Sequence, residues 1–555
     1  MNIIIKDLFS VLQTSEKKII IYLQFIFIFG AIIEFLSVFS ILPYIYVLST
    51  DIEIIDLLDQ YNLTFLDGIV LNDYDPKIFV GFILFFFILF SNLIQFTTNF
   101  IIIKFSNYLG KKFQLNLFDK YINMKYSYFE HQQNSDLKQN IIQEGSRIVP
   151  GVIMPILNIN SKLFNILIIS SVLVIQFSVG VFIVLALMVF YYLVIYKYFQ
   201  KRSSESGLII STSAKKYLKY MDFAFSNFLL TKINFLEKYF FRNIKNYISQ
   251  HIQAVNFLQI ISTLPKYIIE TLMFGGLIIT SIYFYYLEVD NLIPKLSFLA
   301  FAGYRLVPSF NMVYNNYVIL NSNNIALKIY KQSMSLKSEN NFRKKNQLNI
   351  DSINIQNLSF SYGKEKILDK ISFNIKKGQT IGITGPSGSG KSTLFRILIG
   401  IEKNFEGEIK INSNLINPVL FKHTQLGIVY QDPKTFDDDL IYNIVSNSHI
   451  NHDDLDILIR SLELDTSINR QLHSLIVNED GSNLSGGQIR RIMLAHALYK
   501  KPKILFLDET FSSLDSKLEK KILGNIKKHY KDLIVIIISH NKATLNKCDK
   551  VIKLK

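Results

Sequence analysis

The chain has 555 residues, of which 49% are hydrophobic, and it carries a formal net charge of +16. A soluble two-domain enzyme is rarely so apolar, so part of the chain is predicted to lie in lipid. The single cysteine, Cys548, excludes an internal disulfide and a cysteine-rich metal site, while the positive charge suits either nucleic acid or an anionic membrane surface.

Long apolar runs fill the first half of the chain, and each is close to the roughly 20 residues that cross a bilayer. They predict six membrane-spanning helices at 19–49, 79–103, 152–176, 181–199, 257–285 and 292–318. Only "FSVG" separates the third from the fourth, which is typical of a tight hairpin at one membrane face. Residues 1–320 are therefore predicted to form an all-α, six-helix transmembrane domain.

The charges between the spans predict the orientation of this domain. Lysine and arginine are concentrated before the first span, after the second and after the fourth, whereas residues 51–76 are acidic and contain neither. The positive-inside rule then places both termini and two long loops in the cytoplasm. The acidic segment 51–76 can be a short helix on the outer leaflet or an ordinary loop.

The two cytoplasmic loops keep helical apolar spacing, which predicts membrane helices that extend well beyond the bilayer. A short turn or helix is expected at each tip, near residues 126–136 and 222–228. Residues 321–350 lose the apolar pattern and are predicted to form a polar linker.

Residues 351–555 alternate short β-like runs with helical stretches, which predicts an α/β domain with a largely parallel sheet. Its first motif, "GPSGSGKST", follows the strand "TIGIT" and precedes a helix, as a phosphate-binding loop does. Glycines let backbone N–H groups wrap phosphates, Lys391 can reach the β/γ oxygens, and the Ser392 hydroxyl can ligate Mg²⁺. The predicted nucleotide-binding residues here are Gly385, Pro386, Ser387, Gly388, Ser389, Gly390, Lys391, Ser392 and Thr393.

Two further motifs follow the phosphate loop. "LSGGQ", residues 484–488, can offer a serine hydroxyl and backbone donors at another helix N-terminus. "ILFLDE", residues 504–509, is an apolar strand that ends in two carboxylates. Asp508 can hold the water shell of a metal ion, and Glu509 is placed to polarise an attacking water.

With these motifs in this order, the second half resembles the ATP-binding cassette (ABC) proteins. The resemblance implies that Tyr362 in "FSYG" stacks on adenine, that Gln431 in "VYQD" senses Mg²⁺, and that His540 in "IISH" contacts the γ-phosphate. Glu509, His540 and Gln431 are then the catalytic group, and Ser392, Gln431 and Asp508 hold Mg²⁺. The resemblance also implies nucleotide contacts by Ser485, Gly486, Gly487, Gln488 and, in "SSLD", Asp515.

One cassette with all its motifs implies, by the same resemblance, a homodimer that binds two ATP molecules between its cassettes. The chain departs from the family pattern at Thr510 and Phe511, and again at Asn541 after the histidine. Little effect on catalysis is expected from these departures.

The six spans followed by a cassette resemble the half-transporters of the ABC exporters. This resemblance implies an ATP hydrolase coupled to transmembrane transport, surrounded by membrane lipids and without a nucleic-acid partner.

Ionisable residues inside a membrane commonly mark a substrate pathway. The spans contain Glu34, Lys266, Glu270 and Arg305. The two cations can face a cavity and bind an anionic headgroup such as a pyrophosphate, for which arginine has a bidentate geometry. Alternatively, Glu34 and Glu270 neutralise them in buried pairs.

Three stretches, "FGAIIEFLSVFSILPYI", "LPKYIIE" and "YRLVPS", are similar to the bacterial lipid-linked oligosaccharide flippase of protein N-glycosylation. That similarity implies an undecaprenyl-pyrophosphate-linked glycan as substrate and the bacterial inner membrane as location. Arg305 matches a headgroup-binding position, Lys266 stands where the pattern has Arg, and Glu34 is a third candidate. Ser91 falls where a further Arg is expected, which indicates a less cationic site.

Other functions remain open from the sequence. The chain can export a peptide or another lipid, act as a soluble-type cassette ATPase on nucleic acid, or work as an ATP-gated channel or sensor.

Overall fold

The computed structural model divides the chain into two compact units, Met1–Glu339 and Asn340–Lys555. The residues that the structure describes are 2–41, 44–45, 48, 76–130, 132–176, 179–286, 292–336, 350–363, 365–412, 414–415, 426–446, 450–464, 475–478, 481–512 and 514–554.

The described part of the first unit is helical, as the sequence predicts. Its helices are α1 (Asn2–Val11), α2 (Thr14–Phe39), α3 (Pro76–Ile122), α4 (Tyr126–Glu130), α5 (Asn134–Gln139), α6 (Gly145–Ile148), α7 (Met154–Gln176), α8 (Val179–Ser226), α9 (Phe228–Ile233), α10 (Glu237–Tyr286) and α11 (Leu292–Ser335). Two π-helical turns, Asn140–Glu144 and Val149–Ile153, make the path from α5 to α7 continuous.

Several of these helices have the length and composition of membrane spans. Within the described residues, four helical stretches qualify: Thr14–Phe39, Gly81–Ile122, Asn134–Ile175 and Glu237–Tyr286. Helices α8 and α11 contain the other two predicted spans. The acidic segment up to residue 75 and residues 177–178 of the "FSVG" hairpin lie outside the described residues.

Four helices extend far beyond the predicted spans. Helix α3 continues to Ile122, α8 runs to Ser226, α10 begins at Glu237, and α11 continues to Ser335. The short helices α4 and α9 lie close to the two loop tips that the sequence indicates.

The end of α11 differs from the prediction, because residues 321–335 are helix where a linker was expected. Ala326, Leu327 and Tyr330 are buried in an apolar cluster shared with α1, α2, α3 and α7. Tertiary packing therefore keeps this asparagine-rich stretch helical although its sequence pattern is weak.

Helices α8 and α11 approach each other very closely at one glycine. A Cβ atom added to Gly207 would lie 1.8 Å from the carbonyl oxygen of Ser322. Only a residue without a side chain allows this backbone contact.

The second unit contains two larger sheets. Its elements are β1 (Ser352–Tyr362), β2 (Glu365–Lys376), β3 (Thr380–Thr384), α12 (Lys391–Leu398), β4 (Glu406–Ile411), β5 (Asn414–Leu415), β6 (Leu426–Val429), β7 (Asp438–Asp439), α13 (Leu440–Val445), α14 (His452–Ser461), β8 (Ile476–Val477), α15 (Gly486–Tyr499), β9 (Ile504–Asp508), α16 (Ser516–His529), β10 (Ile534–Ile538), α17 (Lys542–Leu545) and β11 (Lys550–Lys553).

The parallel sheet has the order β11-β3-β10-β9-β6, and the prediction of an α/β domain is confirmed. A second, antiparallel sheet has the order β2-β1-β4-β5, which the predicted, largely parallel sheet did not include. Strand β9 shows why the parallel sheet is so apolar: Ile504 and Phe506 belong to one core cluster, whereas Leu505 and Leu507 belong to another. Both faces of the strand are therefore covered.

The register of the parallel sheet assembles the functional motifs at one edge. Asp508 at the end of β9 pairs with Ile538 at the end of β10. Strand β3, which leads into the phosphate loop, pairs with the other side of β10. Ligands of open α/β sheets bind at this carboxyl edge.

Candidate functional site

The phosphate loop connects β3 to α12, and two of its glycines have a left-handed backbone. Gly388 has φ +84° and Gly390 has φ +83°. At Gly390 a Cβ atom would also lie 2.5 Å from Leu368 Cδ2 and 3.1 Å from the Ile367 carbonyl oxygen. The loop thus needs glycine there for both backbone conformation and space.

The polar groups of this loop suit a phosphate. Lys391 Nζ donates hydrogen bonds to the carbonyl oxygens of Gly385 at 2.9 Å and Pro386 at 2.8 Å, which holds the ammonium over the loop. The Ser389 hydroxyl is buried and has no hydrogen-bond partner among the described residues. A cation, an unsatisfied hydroxyl and the start of α12 together form a cradle for an anion.

Two carboxylates lie side by side at the end of β9. Burial raises the pKa of Asp508, the neighbouring charge of Glu509 raises it further, and Lys391 opposes both effects. Glu509 has φ +46°, an unusual backbone conformation for this residue type, and its N–H donates to the Ile538 carbonyl at 3.0 Å. Local strain of this kind is concentrated at functional sites.

The structure brings the three predicted catalytic residues together. Gln431 Nε2 donates to Glu509 Oε2 at 3.2 Å, and His540 Nε2 lies 3.5 Å from Glu509 Oε1. One carboxylate is therefore held between an amide and an imidazole that come from two other strand ends. A carboxylate in this setting can accept a proton from water.

The oxygens predicted to hold Mg²⁺ are of the right chemical type. Ser392 is in the first turn of α12, Gln431 follows β6, and Asp508 ends β9, which is the neighbour of β6 in the sheet. Hydroxyl, amide and carboxylate oxygens are ligands that Mg²⁺ accepts in nucleotide sites.

The "LSGGQ" motif begins helix α15 with a reciprocal cap. Ser485 Oγ accepts from the Gln488 N–H at 3.2 Å, and the Ser485 N–H donates to Gln488 Oε1 at 2.7 Å. The side chains of Ser485 and Gln488 thus fix the helix start, and Gly486 has open space around it. Arg490 Nη2 donates to the Gln431 carbonyl at 3.3 Å, so this helix also contacts the Gln431 loop.

The last two predicted nucleotide contacts, Tyr362 and Asp515, lie at the end of β1 and at the start of α16. Tyr362 is 46% exposed at the end of β1, with its ring nearly perpendicular to that of Phe360, and an exposed aromatic ring of this kind can stack on a base. Asp515 Oδ1 accepts from the Leu518 N–H at 2.6 Å and caps α16.

One departure from the family pattern contacts the site, and the other two have structural roles. Thr510 is buried, and its Oγ1 donates to the Asp508 carbonyl at 3.5 Å, whereas Phe511 packs in a core cluster of the second unit. Asn541 caps α17 by accepting from the Ala543 N–H at 2.8 Å.

In the first unit, four helices contribute to a polar network around Glu34. The Glu34 side chain is only 4% exposed, and its Oε2 accepts hydrogen bonds from Gln95 Nε2 and from Asn165 Nδ2. Arg305 Nη1 lies 3.9 Å from the other oxygen, Oε1. The contributing helices are α2, α3, α7 and α11.

Lys162 also belongs to this network, although it was not among the residues predicted from the sequence. Its Nζ donates to Gln95 Oε1 at 3.0 Å, and Gln95 in turn donates to Glu34. The signal was present, since Lys162 is a cation within the third predicted span, just as Arg305 is within the sixth. Gln95 and Asn165 carry no charge and gave no comparable signal.

Lys266 has a different environment from Arg305. It lies 3.9 Å from Glu270 on the same helix, α10, and the two side chains are 55% and 37% exposed. Both predicted headgroup cations thus have a carboxylate neighbour, but only the Arg305–Glu34 pair is buried, as the second arrangement that the sequence left open requires. The Ser91 hydroxyl is buried without a partner among the described residues.

Comparison with known proteins agrees with this architecture. Residues 368–512 match the model of the ABC transporter family. A solved structure described as a bacterial Atm1-family ABC exporter with ATP bound has a TM-score of 0.77 and 20% sequence identity, and the match covers 95% of this chain and 93% of that one. The chain therefore has an ABC exporter fold.

Curated relatives match over a shorter range. The lacticin-481/lactococcin-DR transport/processing ATP-binding protein of Lactococcus lactis is 38% identical over 213 residues, 36% of this chain and 29% of that protein. The microcin-J25 export ATP-binding/permease protein of Escherichia coli is 36% identical over 205 residues, 36% of this chain and 35% of that protein. The matched segment spans about a third of the length of each relative.

Proposed function

We propose that this chain is one half of an ATP-driven membrane exporter that works as a homodimer in the bacterial inner membrane, with both termini in the cytoplasm. The observation that carries the proposal is the Glu509 carboxylate between Gln431 and His540, next to the phosphate loop. The same chain contains apolar helices of membrane-spanning length, so ATP hydrolysis can be coupled to transport across the membrane.

The residues of the cassette have separate roles in ATP hydrolysis. The loop around Lys391 binds the phosphates of ATP, and Ser392, Gln431 and Asp508 hold Mg²⁺, which neutralises phosphate charge when bound. Glu509 takes the proton of the attacking water, and His540 orients that carboxylate and the γ-phosphate.

The remaining predicted residues complete the site in a dimer. Tyr362 stacks on the adenine. Each nucleotide is covered from its other side by the helix start at Ser485 to Gln488 and the loop at Asp515, both contributed by the second copy of the chain.

Replacing Glu509 tests the hydrolytic half of the proposal. Glu509→Gln keeps the hydrogen bond from Gln431 but removes the proton acceptor, so ATP turnover should fall by about 100-fold or more while ATP binding persists. Glu408→Gln, an exposed carboxylate on β4, is the matched control and should retain turnover. Normal hydrolysis in Glu509→Gln would remove Glu509 from its role.

For the cargo, we propose a glycan linked to an undecaprenyl-pyrophosphate carrier, moved from the cytoplasmic to the outer leaflet. Support comes from the similarity of the first, fifth and sixth spans to the oligosaccharide flippase and from the excess cation near Glu34. The names of the Lactococcus and Escherichia relatives favour the second candidate, export of a peptide.

The two cargoes are distinguished in proteoliposomes. We expect ATP-dependent translocation of a fluorescent undecaprenyl-pyrophosphate glycan by the wild type, with less translocation of a microcin-like peptide. Arg305→Ala should impair lipid translocation more than basal ATP hydrolysis, with Arg305→Lys in between because it keeps charge but loses bidentate geometry. Equal lipid transport by wild type and Arg305→Ala, or transport of the peptide alone, would contradict the lipid cargo.

A further inference from the structure

We propose that Lys162 and Arg305 form a two-cation anion site, and that Glu34 is a built-in counter-ion which competes with the ligand for them. The ligand class is a phosphate or pyrophosphate group. This inference rests on the proposed function for the identity of the lipid, but the competition itself is a property of the network.

Among the residues that the structure describes, the charges of the network do not balance. Lys162 and Arg305 contribute two positive charges, and Glu34 supplies one negative charge. A site with a net positive charge at membrane depth is unfavourable unless an anion can join it. A ligand anion would complete the neutralisation.

The carboxylate is less accessible than the two cations. Glu34 is 4% exposed, whereas Arg305 is 16% exposed and Lys162 is also partly exposed. An approaching anion can therefore reach the cations more readily than it meets the carboxylate.

Arg305 is held far more loosely than a structural arginine of the same unit. Arg147 Nε donates to Asn323 at 3.0 Å, and Nη1 donates to Glu144 at 3.1–3.2 Å. By contrast, Arg305 Nε is buried without a hydrogen-bond partner among the described residues, and Nη1 lies 3.9 Å from Glu34, beyond hydrogen-bond distance. The Arg305 donors are available to a bidentate acceptor such as phosphate.

Gln95 helps to keep the Glu34 carboxylate hydrogen-bonded when Arg305 and Lys162 bind a ligand anion. Its Oε1 accepts from Lys162, and its Nε2 donates to Glu34, while Asn165 donates to the same Glu34 oxygen. These two amide hydrogen bonds persist when Arg305 turns toward a ligand. Glu34 therefore acts on Arg305 and Lys162 through charge and keeps its own hydrogen bonds.

If Glu34 is a counter-ion, removal of its charge should increase the affinity for the anion, whereas a purely structural role predicts no increase. Glu34→Gln keeps an oxygen for both amide donors but removes the competing charge, so anion affinity should rise, by about fivefold or more. Lys162→Met should weaken anion binding by about tenfold, and Lys162→Arg should restore it. The control is Glu16→Gln, a buried carboxylate on the same helix that pairs with Lys112, which should leave anion affinity unchanged.

The experiment measures the Kd of the full chain in phosphatidylcholine nanodiscs for radiolabelled undecaprenyl pyrophosphate, undecaprenol and inorganic pyrophosphate. Thermal stability of every variant is measured in parallel to identify unfolded samples. Tighter binding of undecaprenyl pyrophosphate by Glu34→Gln and weaker binding by Lys162→Met, with no change for undecaprenol, is the expected result.

Two other outcomes separate this inference from the proposed cargo. If the folded Glu34→Gln variant binds the pyrophosphate probes no tighter than wild type, the counter-ion role is overturned, even where the wild type prefers undecaprenyl pyrophosphate. If the wild type does not distinguish undecaprenyl pyrophosphate from undecaprenol, the proposed cargo fails. Tighter binding of inorganic pyrophosphate by Glu34→Gln would then still support the anion site.

Discussion

The two polar sites of this chain are built in opposite ways. In the cassette, the phosphate loop is one continuous segment, and the groups that face it lie at the ends of neighbouring parallel strands. In the membrane unit, the network around Glu34 draws its residues from α2, α3, α7 and α11, which are distant in sequence.

This difference decides which interactions each site depends on. Backbone conformation and the absence of side chains shape the cassette loop, so its glycines are its critical positions. Side-chain hydrogen bonds between separate helices hold the membrane network, so deletion of one central side chain should disturb four helices together. Substitutions in each unit can test this contrast.

The largest effect is expected from Glu34→Ala. This change leaves the amides of Gln95 and Asn165 without their acceptor and Arg305 without a counter-charge in a buried setting. Removing one partner of such a buried network costs about 3–5 kcal/mol of the free energy of unfolding.

The control is Glu270→Ala, which removes the exposed carboxylate at the same 3.9 Å distance from its cation and should cost less than about 1 kcal/mol. Thermal unfolding in detergent measures both variants. Similar losses for the two would show that burial of the network does not matter.

A smaller loss is expected where α8 and α11 touch. In Gly207→Ala, the new Cβ would lie 1.8 Å from the Ser322 carbonyl oxygen, so the two helices must separate, at a cost of about 3 kcal/mol. Gly275→Ala on α10 meets no atom within 4 Å and should be neutral or slightly stabilising, because alanine favours helix. The Tm of the two variants should therefore move in different directions or by clearly different amounts.

The contrast between the sites also explains what the sequence could predict. The cassette residues could be named in advance, because their chemistry is encoded in short motifs such as 385–393 and 504–509. In the membrane unit the sequence shows single polar residues within apolar runs, and nothing in it says that Glu34 meets Arg305 and not Lys266. Pairing of residues that lie on different helices is decided by helix packing, which one sequence does not encode locally.

Some elements of the fold could be predicted from the sequence and others could not, again because some signals are local and others depend on packing. The apolar runs predicted the spans, because burial in lipid requires a continuous apolar stretch. The extension of α11 to Ser335 was not predicted, since only a few of its residues, among them Leu327 and Tyr330, make the buried contacts that stabilise it. The antiparallel sheet was missed because β1 is followed directly by β2, without the intervening helix that marks the strands of a parallel sheet.

Within the cassette, Gly390→Ala and Gly388→Ala should differ although both glycines have φ near +84°. The Gly390 Cβ would meet Leu368 and Ile367, whereas the Gly388 Cβ meets nothing within 4 Å. We expect a loss of about 2 kcal/mol for Gly390→Ala and of about 1 kcal/mol, from backbone conformation alone, for Gly388→Ala. Thermal unfolding of the full chain without nucleotide measures the difference, and equal losses would mean that the loop tolerates the added atom.

The smallest effect is expected at Asp508, where the cassette trades stability for function. Its pKa is raised chiefly by burial and then by Glu509, so the folded state disfavours the ionised carboxylate more than the unfolded chain does. Above the folded pKa this difference costs stability, and Asp508→Asn should remove the cost and raise the Tm slightly at pH 7.5. The gain should shrink as the pH falls through the folded pKa toward 3.8, the ordinary aspartate value, because the native Asp508 is then protonated. Asp532→Asn, which removes an exposed partner of Lys377, should give no such gain, and a lower Tm for Asp508→Asn at pH 7.5 would show that the ionised carboxylate stabilises the folded cassette.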